Sequence, residues 1–280
     1  MSEGKKKKSG RLTTVILIVV FVIGLSLLLY PTFANYWNSM HQTRAIASYS
    51  ENVATLDTKK YDELWEAAND YNRRAVTRPN HFSLTEEERA EYNALLDVGG
   101  SGVMGYIEIP EIDVALPIYH GTDDTVLQVA TGHVEWSSLP TGGESTHCVL
   151  SGHRGLPSAK LFTRLDELME GDTFILRVLD EILTYEVDQI RIVNPDDVAD
   201  LQIIPGQDLC TLVTCTPYGI NTHRLLVRGH RVENAEEAVM VRITADAIQI
   251  EPLIVAPILA IPLLILLIII VFINDKRKSR

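Results

Sequence analysis

The sequence predicts a mainly β domain with a helical extension ahead of it and a transmembrane helix on either flank, and three observations carry that reading. The 280-residue chain contains two continuous apolar runs, Leu12 to Tyr30 and Leu253 to Ile273, each near the roughly 20 residues that cross a bilayer as a helix. Between them, Asn35 to Asn72 is polar, with Tyr49, Val53, Leu56, Tyr61, Leu64, Trp65 and Ala68 at intermittent helical spacing, as one or two amphipathic helices require. Beyond Gly102 the pattern changes to short β-branched and apolar runs separated by turn residues. The clearest pair is Leu209 to Thr214 and Leu225 to Arg228, split by Pro217, Gly219 and Asn221, which reads as a β-turn-β unit.

Taken in order, residues 1–11 form a basic tail with Lys5, Lys6, Lys7, Lys8 and Arg11, and residues 12–30 form the first span. A cleaved signal peptide has the same basic start, but its apolar region is shorter and ends in small residues. Here Leu25 to Leu29 prolongs the run and Tyr30-Pro31 is a poor cleavage site, so an uncleaved anchor is expected. Residues 31–101 form the helical extension. Within it Thr77 to Ser83 is a loop around Pro79, and Ser83 or Thr85 caps a helix that opens on Glu86, Glu87 and Glu88 and runs to about Leu96. Gly99-Gly100-Ser101-Gly102 is a flexible joint before the β domain of residues 102–232. A linker, 233–252, leads to the second span at 253–273, where Pro257 and Pro262 predict a kink. Lys276, Arg277, Lys278 and Arg280 fill the tail at 274–280, so both ends are expected in the cytoplasm and everything between them outside.

The chain carries 25 basic and 37 acidic residues; without the nine basic residues of the tails and without Glu3 and Asp275, 16 face 35, about −19 for the outward part. Such an acidic surface gives no reason to bind nucleic acid or an anionic membrane. Three cysteines cannot all pair, so at least one of Cys148, Cys210 and Cys215 is a free thiol in an outward-facing protein. Cys215 is the natural odd one out. Cys148 and Cys210 fit either a bridge or two buried free thiols acting as small apolar residues. No CxxC or HxxxH spacing joins His147, Cys148, His153, Cys210, Cys215 and His223, so no metal site is expected. No cofactor is expected either. His120, His133, His147, His223 and His230 read as structural or exposed.

The chemistry concentrates at strand ends. Cys215 leaves the end of an apolar strand as a nucleophile candidate, with Arg224 on the next strand within reach of the same reacting oxygen. In HCVLSGHRGLPSAKLF an apolar strand ends at Ser151-Gly152 and delivers His153 into a loop, where it can serve as base. TLVTCTPYGINTHRLLVRGHR, together with GYIEIPEIDVALPIYHGT, LSGHRGLPSAKLF and LDELMEGD, resembles the sortase family, and most closely class C, the pilin-polymerising sortases. The resemblance runs from about Gly102 to Arg231.

That resemblance implies a closed eight-stranded β-barrel with a cysteine transpeptidase site at His153, Cys215 and Arg224. It implies a donor of LPxTG type, cleaved after threonine, and a pilin lysine as acceptor, so the partners would be pilins at a Gram-positive cell surface. An anchoring sortase, or a peptidase resolving the thioester with another nucleophile, is the alternative. Class C members carry a lid with an Asp-Pro-aromatic motif, and Asn80, His81 and Phe82 occupy the corresponding place. Only the aromatic residue matches, so the lid is expected to rest on burial of Phe82, with an ordinary connection as the rival reading. Tyr218 and Asn221, with Thr222, are expected on the acceptor side of the groove. Thr214 belongs to the same candidate groove by proximity, although strand alternation turns it away from Cys215. Leu139-Pro140-Thr141-Gly142-Gly143 lacks the intervening residue of a sorting signal and reads as a turn, and no such signal precedes the second span.

Overall fold

The structure, a computed structural model, describes residues 4–78 and 82–234. The expected second span, its basic tail and nearly all of the linker ahead of it lie outside the described residues, as do Asn80 and His81. The chain divides into two compact units, Met1–Tyr36 with Thr244–Arg280, and Trp37–Ile243.

One helix, α1 (Gly4–Ala54), carries the first apolar run and continues through Pro31. The expected boundary at Tyr30 is therefore not a structural break. Proline removes one helical N–H donor and crowds the carbonyl four residues back, a local loss that a spanning helix tolerates. Among the described residues α1 is the one helix long and apolar enough to cross a membrane, with a mean hydropathy of 2.6 over its most apolar stretch.

In the larger unit, α1 ends with Tyr49 and Val53 buried. The Tyr49 hydroxyl donates to the Met104 carbonyl (3.0 Å) and accepts from Leu179 N–H (2.7 Å), and burial holds this phenol well above its ordinary pKa. Helix α2 (Thr58–Ala75) starts at Asp57, whose carboxylate accepts from Lys60 N–H at 2.7 Å. It buries Ala68, Tyr71, Asn72 and Ala75. Asn72 fixes the Leu139–Thr141 segment by donating to the Leu139 carbonyl (3.0 Å) and Thr141 Oγ1 (2.9 Å) and accepting from Leu139 N–H (2.7 Å). The Leu-Pro-Thr-Gly-Gly stretch is thus a pinned turn. Helix α3 (Glu86–Ala94) opens with Thr85 and Glu88 capping each other's backbone N–H; it ends two residues short of the expected Leu96.

The remaining chain forms eight strands: β1 (Val103–Ile109), β2 (Val114–His120), β3 (Thr131–His133), β4 (Thr146–Ser151), β5 (Thr173–Val178), β6 (Glu181–Val193), β7 (Asp208–Thr216) and β8 (His223–Arg231). They close into a barrel in the order β1-β2-β3-β4-β7-β8-β6-β5. Two neighbouring pairs, β2 with β3 and β4 with β7, are parallel, and the rest antiparallel. Strand alternation sorts the side chains. On β7 Cys210, Leu212 and Thr214 are buried while Val213 and Cys215 are half-exposed; on β8 Leu225 and Val227 join the core while Arg224 and Arg228 are half-exposed. One face of each strand therefore builds the interior and the other carries Cys215 and Arg224.

A second, smaller apolar cluster joins Val149 of β4, Leu226 of β8 and Leu201, with Val213, Val193 and Trp136 packed against it. Val213 shares its face of β7 with Cys215 two residues on, so this apolar floor runs up to the thiol.

Candidate active site

β7 and β8 place Cys215 directly opposite Arg224, in a register that continues to Val193 of β6. Opposed residues on one face of an antiparallel pair have Cβ atoms about 4.5–5.5 Å apart, so thiol and guanidinium share one neighbourhood. On the other side of β7, the parallel strand β4 pairs Ser151 with Val213. Alignment persists one residue past the strand: Gly152 N–H donates to the Val213 carbonyl (3.0 Å), and Thr214 Oγ1 donates to the Gly152 carbonyl (2.7 Å). His153 follows two residues after Ser151, as Cys215 follows two after Val213. The register thus brings His153, Cys215 and Arg224 to one end of the barrel.

The loop that carries His153 is fixed by packing. A Cβ on Gly152 would lie 2.6 Å from Phe162 Cδ2 and 2.9 Å from its Cγ, and Phe162 is fully buried. Glycine is required so that the ring can close over the backbone. Phe162 N–H in turn donates to the His153 carbonyl at 3.1 Å. Arg224 donates through Nη1 to the carbonyls of His223 (3.2 Å) and Asn221 (3.5 Å), and Asn221 takes a positive φ of 61° to turn the chain into β8. No carboxylate pairs with Arg224 among the described residues, which leaves its charge available to an anion.

Thr214 is buried and bonded to Gly152, so its hydroxyl holds two strands together and does not line a groove. Tyr218 is largely exposed in the loop after β7. Cys148 and Cys210 are free thiols opposite each other in the β4–β7 register, both buried. Burial, helped by the neighbouring Cys148, drives the Cys210 thiol far above its ordinary pKa, the reverse of what a nucleophile needs. His133 and His147 are buried and His120 is half-buried, all held by internal hydrogen bonds, His147 between the Gln202 carbonyl (2.8 Å) and Thr211 Oγ1 (2.7 Å). Burial lowers the pKa of His120 and of His147, which keeps both neutral.

Phe82 lies edge-on to Trp136, ring centroids 5.1 Å apart at 77°, and retains 42% exposure. The expected anchoring by burial is thus only half realised. The two rings line a pocket of about 210 Å³ with Val76, His147, Leu201 and Ile203, beside the apolar floor that reaches Cys215. Trp136 was not singled out from the sequence, because nothing local marks its partner. Arg154 also escaped it, since the residues it engages lie 12 to 64 positions away.

Residues 107–232 match the Sortase domain family. Sortase D of Bacillus subtilis (strain 168) is 32% identical over 181 residues, 63% of this chain and 86% of that protein. Among solved structures, sortase C1 from Streptococcus agalactiae is 54% identical with a TM-score of 0.67, covering 69% of this chain and 100% of that one. Streptococcus pneumoniae sortase C, described with respect to catalysis and pilin substrate specificity, is 43% identical with a TM-score of 0.62 over 68% and 97%. Clostridium perfringens sortase C, solved with the C-terminal cell wall sorting motif, is 42% identical with a TM-score of 0.61 over 69% and 100%.

Proposed function

Because this chain belongs to the sortase family of cysteine transpeptidases and is similar in structure to class C members, we propose that it polymerises pilins at the surface of a Gram-positive cell. On this reading it cleaves an LPxTG-type sorting signal through a thioester on Cys215 and transfers the acyl group to a pilin lysine. The observation that carries the reading is the alignment of His153, Cys215 and Arg224 across β4, β7 and β8 at one barrel end.

A free thiol has a pKa of about 8.5, so at neutral pH it needs a nearby cation or base to become thiolate. Arg224 lies opposite Cys215 across the β7–β8 pair. The Cys215 sulfur attacks the threonine carbonyl carbon, and the negative oxygen that develops is stabilised by the Arg224 fork and by backbone donors of the turn. His153 gives its proton to the departing amine, the peptide bond breaks, and a thioester remains. The incoming lysine amine attacks that thioester and loses a proton to His153, and an isopeptide bond forms as the thiolate leaves. The half-exposed apolar residues Val213, Val193 and Trp136, which pack over buried Val149 and Leu226, are suited to the leucine and proline of the donor. α1, and a second span at 253–273, would hold the domain at the outer membrane face.

The test is a product assay with a sorting peptide and a lysine-bearing pilin. The reading expects an isopeptide-linked product that disappears when the acceptor lysine is replaced. Hydrolysed peptide alone, whether or not pilin is present, would favour a peptidase, and a product formed only with a wall-type amine would favour an anchoring sortase.

A further inference from the structure

Arg154 follows His153 directly, and its side chain is only 8% exposed. Nη2 is ion-paired to Asp166 in the 3₁₀ turn Leu165–Glu167. Nη1 donates to Oγ1 of Thr216, the residue after Cys215, at 3.4 Å, and the guanidinium carbon lies 5.8 Å from the centre of the Tyr218 ring. The next residue, Gly155, has a φ of 75°, and a Cβ there would meet the Tyr218 ring at 3.0 Å. One guanidinium therefore touches both segments that carry the reacting groups. Its Nε is buried with no hydrogen-bond partner among the described residues. A guanidinium placed to satisfy its own donors would not leave one orphaned in the interior, so its location is set by the two loops it joins.

We propose that Arg154 is a positioning residue of the transpeptidase reaction. Held by Asp166, it ties the His153 loop to the Thr216–Tyr218 segment and so sets how imidazole and thiol face each other; this rests on reading His153 and Cys215 as the reacting pair. Regular strand pairing stops at Ser151 with Val213, and the bonds of Gly152 extend it by one residue. Past that point the imidazole and the thiol sit on separate segments, and Arg154 links them. Reactions that depend on such alignment lose about 100-fold in rate for an ångström of misplacement.

The experiment measures kcat and KM for cleavage of a fluorogenic sorting peptide, together with thermal melting, for wild type, Arg154→Ala, Arg154→Lys, Asp166→Asn and Cys215→Ala. Arg154→Ala is expected to lose about 10- to 100-fold in kcat with KM within about threefold. Arg154→Lys should recover little, because a point charge cannot engage Asp166, Thr216 and Tyr218 together. Asp166→Asn keeps the guanidinium but replaces its ion pair with a neutral, weaker anchor, so Arg154 is held less firmly and about 3- to 10-fold in kcat should be lost. It decides the matter if Arg154→Ala does not fold. An unchanged kcat in a folded Arg154→Ala, or in Asp166→Asn, overturns the proposal. A rise in KM alone overturns it too, since Arg154 would then bind substrate. Residual cleavage by Cys215→Ala would instead strike the reading of the active site itself.

Discussion

A single methyl group on Gly152 tests whether the backbone behind His153 is as constrained as the packing indicates. In Gly152→Ala the new Cβ would sit 2.6 Å from Cδ2 of Phe162 and within 3.1 Å of two more ring carbons. Phe162 is fully buried and its N–H holds the His153 carbonyl, so relief requires the loop to shift. Overpacking of this kind costs about 1–3 kcal/mol, which in a domain of this size lowers the melting temperature by roughly 2–4 °C per kcal/mol. Movement of His153 by about an ångström should reduce kcat by about 100-fold. Stability loss alone also lowers activity in a crude assay, so Gly171→Ala serves as a comparison. Gly171 has a φ of 97° with nothing near its Cβ direction, and alanine there costs about 1–2 kcal/mol through backbone strain. It bonds to Val187, whose β8 partner Gly229 lies five residues from Arg224. The assay is peptide cleavage well below both melting temperatures. The account expects similar destabilisation in the two variants and a large kcat loss only in Gly152→Ala. A Gly152→Ala enzyme within twofold of wild-type kcat would refute the claim that this contact fixes His153.

Three further outcomes follow from the same geometry. Cys210→Ser should keep most turnover while losing about 1–3 kcal/mol of stability to a buried hydroxyl, whereas Cys215→Ala should abolish cleavage and transfer; the opposite pattern would move the nucleophile to Cys210. Arg224→Lys keeps the charge but loses the planar fork, and about 10²–10³ in kcat should go with it, as steady-state kinetics would show. Phe82 is a little more than half buried, worth about 1 kcal/mol in area and up to about 1 kcal/mol in its contact with Trp136. Phe82→Ala should therefore raise the rate at which a small thiol reagent labels Cys215 about 5- to 30-fold; equal rates would make the loop a plain connection.

The catalytic strands were legible because alternation and turn residues are local. Leu209 to Thr214 and Leu225 to Arg228 announced β7 and β8. The closure into eight strands came from the family resemblance, since parallel pairing between strands about 60 residues apart leaves no trace in a local pattern. The end of the apolar run at Tyr30 is not the end of the helix, because one backbone bond missing at Pro31 does not stop a long helix. Phe82 stood out as an aromatic residue, but Trp136, its partner, did not, and its half-exposed state weakens the anchoring expected of it. Arg154 was hidden for the same reason: Asp166, Thr216 and Tyr218 are brought to it by the fold.

The central claim is that Cys215 carries the acyl group. Incubating the protein with an LPxTG-type peptide in the absence of an acceptor amine, quenching in acid and mapping the adduct by mass spectrometry tests it directly. The account predicts a hydroxylamine-labile acyl peptide ending in threonine on the fragment containing Cys215, and none on Cys148 or Cys210. An adduct on either of those thiols, or cleaved peptide with no adduct at any time, would contradict it.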